Sequence, residues 1–210
     1  GLALLAQAAA TEDALAGKLA GARADLLQEQ AQSLLQAQRP SAALQALESA
    51  VALVPNDPWV RHSLARIYVR LGLPKEALSA MDEGMARTPN DPQMRYARAL
   101  IRSALDDVGG ALSDLQHIAP TALSEGMREL VQRASVQQRV AQAAGSASPQ
   151  EAQNLLQQAE ALALDDASLL YAIANAWFKR GQPALGVAVF DRLELRAAPL
   201  PAAVQLDHAA

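Results

Sequence analysis

The segment Pro55-Asn56-Asp57-Pro58 recurs unchanged as Pro89-Asn90-Asp91-Pro92, which gives the chain a 34-residue period. This period is typical of repeats that each consist of one pair of antiparallel helices. If Pro55 and Pro89 take position 32 of the repeat unit, alanine recurs at positions 8 and 20. These alanines are Ala31, Ala65 and Ala99 at position 8, and Ala43, Ala77 and Ala111 at position 20. Small side chains at fixed positions let paired helices approach closely, so the period predicts an array of helix pairs.

The pattern resumes later in the chain with a shift of phase. Pro149 and Pro183 are again one period apart, but Pro149 comes seven residues later than two whole periods after Pro74 would place it. The seven extra residues fall where residues 122–143 carry the apolar spacing of one long helix. The sequence therefore predicts five segments. They are an N-terminal helical segment at 1–21, a first array of about three repeats at 22–118, an atypical hinge helix at 119–148, a second array at 149–198, and the start of a further helix at 199–210.

Composition supports an all-α fold and excludes several functions. The chain is 51% hydrophobic but only 3% aromatic, because leucine and alanine, which are strong helix formers, supply most of the apolar bulk. A formal net charge of −4 provides no basic field for nucleic acid, and the absence of cysteine excludes disulfides and thiolate sites. No apolar run approaches the roughly 18 residues of a membrane-spanning helix. The short stretch Leu2 to Ala10 is compatible with an ordinary helix or with the remnant of a processed secretion signal.

The repeat unit resembles the tetratricopeptide repeat (TPR). The resemblance rests on small residues at positions 8, 20 and mostly 27, an aromatic residue at position 11 and proline at position 32, and it covers residues 22–118 and 149–196. It implies a right-handed superhelical solenoid of antiparallel helix pairs in two arrays. The third unit departs from the pattern, with Arg98 and Arg102 where the second unit has Leu64 and Tyr68. We expect a looser or re-registered helix there. Because neither end of the chain carries a polar cap, we also expect it to be an excerpt of a longer protein.

Residues that could support catalysis have simpler structural interpretations. Asp57, Asp91 and Asp166 each precede a predicted helix, where aspartate accepts hydrogen bonds from free backbone N–H groups and contributes about 1 kcal/mol. The three histidines are far apart and form no pair with metal-ligand spacing, and no serine lies in a Gly-x-Ser-x-Gly turn. We therefore predict a non-catalytic protein without a cofactor or metal.

The resemblance implies that positions 2, 5, 9 and 12 of each first helix line a concave binding face. The candidate binding residues at these positions are Trp59, His62, Arg66, Tyr96, Tyr171, Asn175 and Phe178. Aromatic rings interleaved with hydrogen-bonding groups suit a peptide or a sugar. The alternative is that Trp59 and Tyr171 only pack between neighbouring repeats. Tyr68, Trp177 and Phe190 take core positions and are predicted to be structural.

One branch of TPR proteins binds acidic C-terminal tails through a lysine and asparagine clamp. This chain has Gln28 and Gln32 at the clamp positions of the first repeat, so the clamp is absent. The segments 56–61, 64–68, 94–97 and above all 123–133 resemble the TPR region of the bacterial cellulose synthase C subunit family.

The cellulose synthase C resemblance implies a periplasmic scaffold that links an inner-membrane synthase to an outer-membrane pore through protein-protein contacts. The implied partners are cellulose synthase complex proteins or other envelope proteins, with β-1,4-glucan as a further candidate. A helix out of register at 119–148 would let one array tilt against the other. The alternative function is a general cytosolic TPR adaptor for peptides.

Overall fold

A computed structural model describes residues 2–194, and this part of the chain contains helices and no strands. The ten α-helices are α1 Leu2–Gln36, α2 Pro40–Leu53, α3 Pro58–Arg70, α4 Pro74–Arg87, α5 Pro92–Ala104, α6 Val108–Gln116, α7 Glu125–Gly145, α8 Pro149–Ala163, α9 Ala167–Lys179 and α10 Pro183–Glu194. A short 3₁₀ turn covers Pro120–Ala122. The further helix expected at 199–210, the last residues of the expected second array and His208 lie outside the described residues.

Consecutive helices pack as pairs, α1 with α2, α3 with α4, α5 with α6, α7 with α8 and α9 with α10. The alanines at positions 8 and 20 lie at the contacts between paired helices, where each is at most 2% exposed. Leu47, Leu64 and Ile67 fill the core around them in the first repeats, and Leu156, Ile173 and Trp177 do so later in the chain. The predicted all-α solenoid of helix pairs is confirmed.

The chain divides into two compact units, one ending at Ala122 and the next beginning at Leu123. In the second unit α7 packs along α8 and also contacts α9. Helix α7, which the sequence predicts to lie outside both arrays, is thus the first member of a helix pair with α8. At 21 residues it is longer than the 13-residue first helices α3, α5 and α9.

In the first unit α1 runs unbroken from Leu2 to Gln36, through the boundary expected at residues 21 and 22. Gly17 and Gly21 lie within it, and a Cβ added at either glycine would meet no atom within 4 Å. The leucines Leu15, Leu19 and Leu26 are each more than 60% exposed. Residues 10–19 of α1 are therefore exposed.

In four of the five helix pairs, all but α7 with α8, the turn after the first helix contains one residue in the left-handed conformation. Gly72 has φ +72°, and the Leu73 N–H donates to the Tyr68 carbonyl while the Gly72 N–H donates to the Val69 carbonyl. This hydrogen-bond pattern satisfies carbonyls that the helix leaves free, and glycine adopts the conformation at no steric cost. Gly181 takes the same place in the last repeat, with φ +71°.

The third repeat is not re-registered, so that alternative of the expectation is wrong. Helix α5 begins and ends one repeat length after α3, so its register is unchanged. The reason is a matching substitution on α6. Asp114 lies where the second repeat has Ala80, and its carboxylate accepts a hydrogen bond of 2.9 Å from the Arg98 Nε and lies 3.3 Å from the Arg102 Nε. Asp114 is 3% exposed. Its buried ion pairs with Arg98 and Arg102 replace the apolar contacts that Leu64 and Tyr68 make in the second repeat.

Helix α6 is the one element of this repeat that is shortened. It begins in register at Val108 but ends at Gln116, so it has nine residues where α4 has 14. Pro120 explains the stop, because a proline ring clashes with the carbonyl four residues earlier, which here is that of Gln116.

Candidate functional site

Three of the first helices, α3, α5 and α9, have an aspartate cap at the amino-terminal end. The Asp57 carboxylate accepts hydrogen bonds from the N–H groups of Trp59 at 2.8 Å and Val60 at 2.9 Å. Asp91 accepts from the Gln93 N–H at 2.8 Å, and Asp166 caps α9 in the same way. The predicted capping role of these aspartates is confirmed. It fixes the residue at which each helix begins, and therefore the direction in which positions 2, 5 and 9 point.

In the first unit the caps bring three candidate binding residues together in an aromatic cluster. The Trp59 ring lies edge-on to His62, with ring centroids 5.8 Å apart, and edge-on to Tyr96 of the next repeat, also at 5.8 Å. Trp59 nevertheless remains 42% exposed. The tryptophan thus packs between neighbouring repeats and still presents part of its surface to a partner. We call Trp59, His62 and Tyr96 the aromatic cluster.

The imidazole of His62 is held uncharged at neutral pH. Burial beside Trp59, and secondarily the nearby Arg66 guanidinium, lowers the pKa of His62 from 6.5 to about 4. A neutral imidazole can donate one hydrogen bond and accept another. The aromatic cluster therefore offers ring faces and neutral polar groups, while Arg66 supplies the nearby positive charge.

A groove of about 540 Å³ runs between α1 and α3 in the first unit. Its polar lining comes from Gln28, Gln32 and Ser63, and the Ser63 Oγ donates to the Gln28 Oε1 at 3.1 Å. Arg66 and Arg70 line the groove from α3, and Asp25 and Glu29 line it from α1. We call this feature the α1–α3 groove. Its mixture of amides, a hydroxyl and charged groups suits hydrogen bonding to an extended ligand.

The second unit places Tyr171 and Phe178 around Phe190 of α10. The Tyr171 and Phe190 ring centroids are 5.9 Å apart, and Phe178 stacks on Phe190 at 5.8 Å. A Cβ added at Gly186 would lie 2.8 Å from the Phe178 Cε2, so Phe178 covers that glycine. Phe178 is still 38% exposed.

The remaining candidate of the second unit, Asn175, is half-buried on α9. Two of the residues predicted to be structural are buried, Trp177 at 1% exposed and Phe190 at 7% exposed. The Trp177 Nε1 donates a hydrogen bond of 2.7 Å to the Glu160 carboxylate. Tyr68 is half-buried, and its hydroxyl lies 3.1 Å from the Glu48 carboxylate.

Sequence reasoning did not identify Arg70 as a groove residue, because position 13 lies outside the four positions that the resemblance supplies. The signal was the spacing of four residues from Arg66, which places both side chains on one helical face. Sequence reasoning also did not foresee the burial of Arg61, which donates from Nε to the Pro55 carbonyl at 2.7 Å and from Nη1 to the Ala80 carbonyl at 2.8 Å. Arg95 repeats the first of these contacts at Pro89, so its recurrence one repeat later was the available signal.

Over residues 2–194, none of the helices combines the length and apolar character needed to cross a bilayer.

Comparison with known proteins identifies the repeats. A profile of the tetratricopeptide repeat family matches residues 34–101. Cellulose synthase operon protein C of Xanthomonas axonopodis pv. citri (strain 306) is 31% identical to the chain over 203 residues. That match covers 94% of the chain but 14% of the relative, so the chain spans about one seventh of the protein it resembles.

Solved structures with a similar fold are TPR proteins. MamA (41-end) from Desulfovibrio magneticus RS-1 superimposes with a TM-score of 0.55 at 17% identity, covering 84% of this chain and 98% of its own. MamA MSR-1 C2 gives 0.52 at 19% identity, covering 84% and 99%. At such identities the likeness concerns the fold alone. The chain thus contains tetratricopeptide repeats, and over nearly all of its length it is similar to a segment of cellulose synthase operon protein C.

Proposed function

We propose that the chain is a non-catalytic scaffold segment of a bacterial cellulose or exopolysaccharide secretion apparatus. In this proposal it lies in the periplasm and binds proteins that connect an inner-membrane synthase to an outer-membrane pore. The observation that carries the proposal is the 31% identity to cellulose synthase operon protein C over 94% of the chain. Because the chain spans 14% of that relative, the role of the whole protein is part of the proposal.

The geometry of the first unit supports a binding role. Repeated helix pairs with buried alanines form a stable support, and the first helices present the aromatic cluster and the α1–α3 groove side by side along α3. Binding groups on rigid helices need little ordering when a partner docks, which favours recognition by a preformed surface. A scaffold of this kind acts by holding its partners in fixed positions, without a chemical step.

Fractionation of the source cell tests the location of the full-length protein. An antibody against this segment should detect the protein in the envelope fraction and not in the cytosol. Protease added to cells with a permeabilised outer membrane should then degrade the segment, whereas intact cells should protect it. A cytosolic product would contradict the proposal and leave the general peptide adaptor as the explanation of the fold.

Cross-linking in the cell tests the partners. A photoreactive residue placed at Gln32, which lines the α1–α3 groove, should cross-link to an envelope protein of the secretion apparatus. The matched control is the same residue at Ser41, an exposed position at the start of α2 that does not line the groove. Equal cross-linking from both positions, or cross-links to cytosolic proteins alone, would argue against a groove-mediated scaffold.

A second candidate function is direct contact with β-1,4-glucan, which the exposed part of the aromatic cluster favours. Sugar rings stack their C–H faces on aromatic side chains, and Trp59 is 42% exposed beside Tyr96. Titration with cello-oligosaccharides should then change Trp59 fluorescence saturably. Trp59→Ala should abolish the response, and Tyr171→Ala in the second unit shows whether that unit contributes. Malto-oligosaccharides are the matched ligand control, and an identical response to both sugars would exclude specific glucan recognition.

A further inference from the structure

Three leucines lie exposed on one face of α1. Leu15, Leu19 and Leu26 are each more than 60% exposed, and Ala22 between them is exposed as well. The four residues follow one another at intervals of four, three and four, which is the a/d spacing of a coiled coil and places their side chains along one line. The buried Ala24 is two residues from Ala22 and from Leu26, roughly 200° around the helix, so this line faces away from the core. We call Leu15, Leu19, Ala22 and Leu26 the leucine stripe.

The charged residues beside the leucine stripe favour one orientation of a second α1 helix. Lys18 and Asp25 flank the stripe on one side, and Arg23 flanks it on the other. If two copies of α1 lay parallel, Lys18 would face Arg23 of the second copy, and like charges repel. In an antiparallel pair Lys18 instead faces Asp25 of the second copy, and two-fold symmetry repeats this contact. Within the described part of the chain neither Lys18 nor Asp25 forms an ion pair, so both charges are available to a second copy.

We propose that two copies of the chain associate through the leucine stripe, with their α1 helices antiparallel. Leu15 then packs against Leu26 of the second copy, and Leu19 packs against Ala22 of the second copy. Two layers that each pair leucine with leucine thus enclose two layers that pair leucine with alanine. The contact removes from water the apolar surface that α1 exposes in a single copy.

The contact is limited at both ends by acidic residues. The next layer on either side would bring Glu12 against Glu29 of the second copy, so the apolar part of the contact ends there. The leucine stripe spans about 17 Å at 1.5 Å per residue. This is short for a stable interface, so the dimer belongs to the weak and reversible class.

The test measures the association of the 210-residue chain by sedimentation equilibrium. Over about 10 µM to 1 mM, the range that suits a small interface, the average mass should rise towards that of a dimer. Leu19→Gln should weaken the dimer at least about ten-fold, because each dimer loses two leucines from the contact. Leu164→Gln is the matched control, since Leu164 is 64% exposed but lies in the second unit. It should leave the dissociation constant unchanged.

An exchange of charges tests the orientation of the two helices. Lys18→Glu should weaken the dimer about two- to five-fold, and Lys18→Glu combined with Asp25→Lys should restore the wild-type affinity. Circular dichroism should show the same helix content in all variants. A stronger dimer in Lys18→Glu would indicate parallel helices and would overturn the proposed arrangement.

A chain that stays monomeric over the whole concentration range would overturn the inference. Masses beyond that of a dimer, or equal weakening by Leu19→Gln and Leu164→Gln, would do so as well, because both indicate non-specific association. The scaffold proposal concerns other partners and is tested separately by fractionation and cross-linking, so the two failures are distinguishable.

Discussion

At the scale of single residues, two turns of the first unit hold a side chain in a conformation that suits glycine. Gln38 has φ +58° and Asp106 has φ +60°, and both occupy the place that Gly72 takes in the second repeat. A side chain with a Cβ is strained in the left-handed region, although aspartate tolerates it better than glutamine. The strain is therefore greatest at Gln38.

We predict that Gln38→Gly stabilises the protein by about 0.5–1 kcal/mol, the net of relieved strain and the greater freedom of glycine in the unfolded chain. Urea unfolding followed by circular dichroism measures the change. Gln45→Gly, at an exposed position inside α2, is the control and should destabilise by about 1 kcal/mol. Loss of stability in both variants would show that Gln38 is not strained.

His62 makes the stability of the first unit depend on pH. The unfolded imidazole binds a proton near pH 6.5, whereas burial and then the Arg66 charge lower the pKa of the folded group to about 4. Between these values the unfolded state binds more protons, so stability rises with pH and is lost as the pH falls from 6.5 to 4. We expect a loss of about 2 kcal/mol from this group after allowance for its partial exposure.

Urea unfolding between pH 7 and pH 4 checks the expected loss, with His62→Gln as the test variant. The substitution should flatten the pH dependence in this window. His117→Gln is the control, because His117 is exposed and lies outside the aromatic cluster. An unchanged slope in His62→Gln would mean that other groups cause the dependence.

At the scale of helices, the third repeat holds α5 and α6 together by charge. Arg98 and Arg102 both approach the buried Asp114, and the Arg98 Nη1 also lies 2.8 Å from Asp82 on α4. Replacing Asp114 alone leaves two arginines facing a position without a carboxylate. We predict that Asp114→Asn destabilises the protein by about 3 kcal/mol in urea unfolding.

A triple variant tests whether the residues found at these positions in the second repeat can replace the ion pairs of Asp114 with Arg98 and Arg102. Arg98→Leu, Arg102→Tyr and Asp114→Ala together copy the residues found one repeat earlier. Stability should then equal or exceed that of the wild type, since apolar replacements of buried ion pairs are often neutral or stabilising. A triple variant as unstable as Asp114→Asn would mean that packing at this crossing differs between the repeats.

The crossing of α4 with its neighbours leaves no room for a methyl group at Gly84. A Cβ there would lie 2.6 Å from the Met94 Sδ and 2.7 Å from the Cδ of the buried Arg61. We predict that Gly84→Ala destabilises by about 1–3 kcal/mol through overpacking. Gly17→Ala on the exposed part of α1, where nothing lies within 4 Å, should instead stabilise by up to about 1 kcal/mol. Thermal unfolding of both variants gives the comparison, and a gain in both would contradict the tight crossing.

Sequence could predict the elements because their determinants are local. Prolines at the first helical position, aspartate caps such as Asp57 and alanines that recur with the repeat period mark each helix without knowledge of its neighbours. The pairing of Arg98 with Asp114 was not foreseen, because it joins positions of two helices whose contact must be known first. For the same reason, the stacking of Phe178 on Phe190 and its cover over Gly186 became apparent only from the packing. The repeat positions identified Trp59 as a candidate binding residue, but they could not predict what fraction of its side chain is exposed.

At the scale of the whole molecule, each compact unit contains one of the two tryptophans. Trp59 reports on the first unit, and Trp177, 1% exposed and bonded to Glu160, reports on the second. In helical repeat arrays stability is dominated by contacts within repeats and between neighbours. A defect in one unit should therefore remain confined to that unit.

Trp177→Phe tests this expectation, because it removes the bond to Glu160 and leaves a small cavity. We predict that it destabilises the second unit by about 1–3 kcal/mol, seen as an earlier loss of helix signal in urea. In this variant Trp59 is the sole tryptophan. The urea concentration at which its fluorescence reports unfolding should not change. An equal shift of both signals would show that the whole chain unfolds as one cooperative body.

The contacts between successive repeats also bear on how such an array changes length in evolution. In-frame loss of residues 58–91 would join Asp57 to Pro92 and recreate the inter-repeat turn. Glu48 would then take the place of Asp82, its counterpart in the next repeat, opposite Arg98. An acidic side chain would meet the arginine in the shortened chain as it does in the present one. Recombination can thus remove this repeat and still leave Arg98 opposite an acidic side chain. The spacing between binding surfaces then becomes a trait that selection can adjust in steps of one repeat.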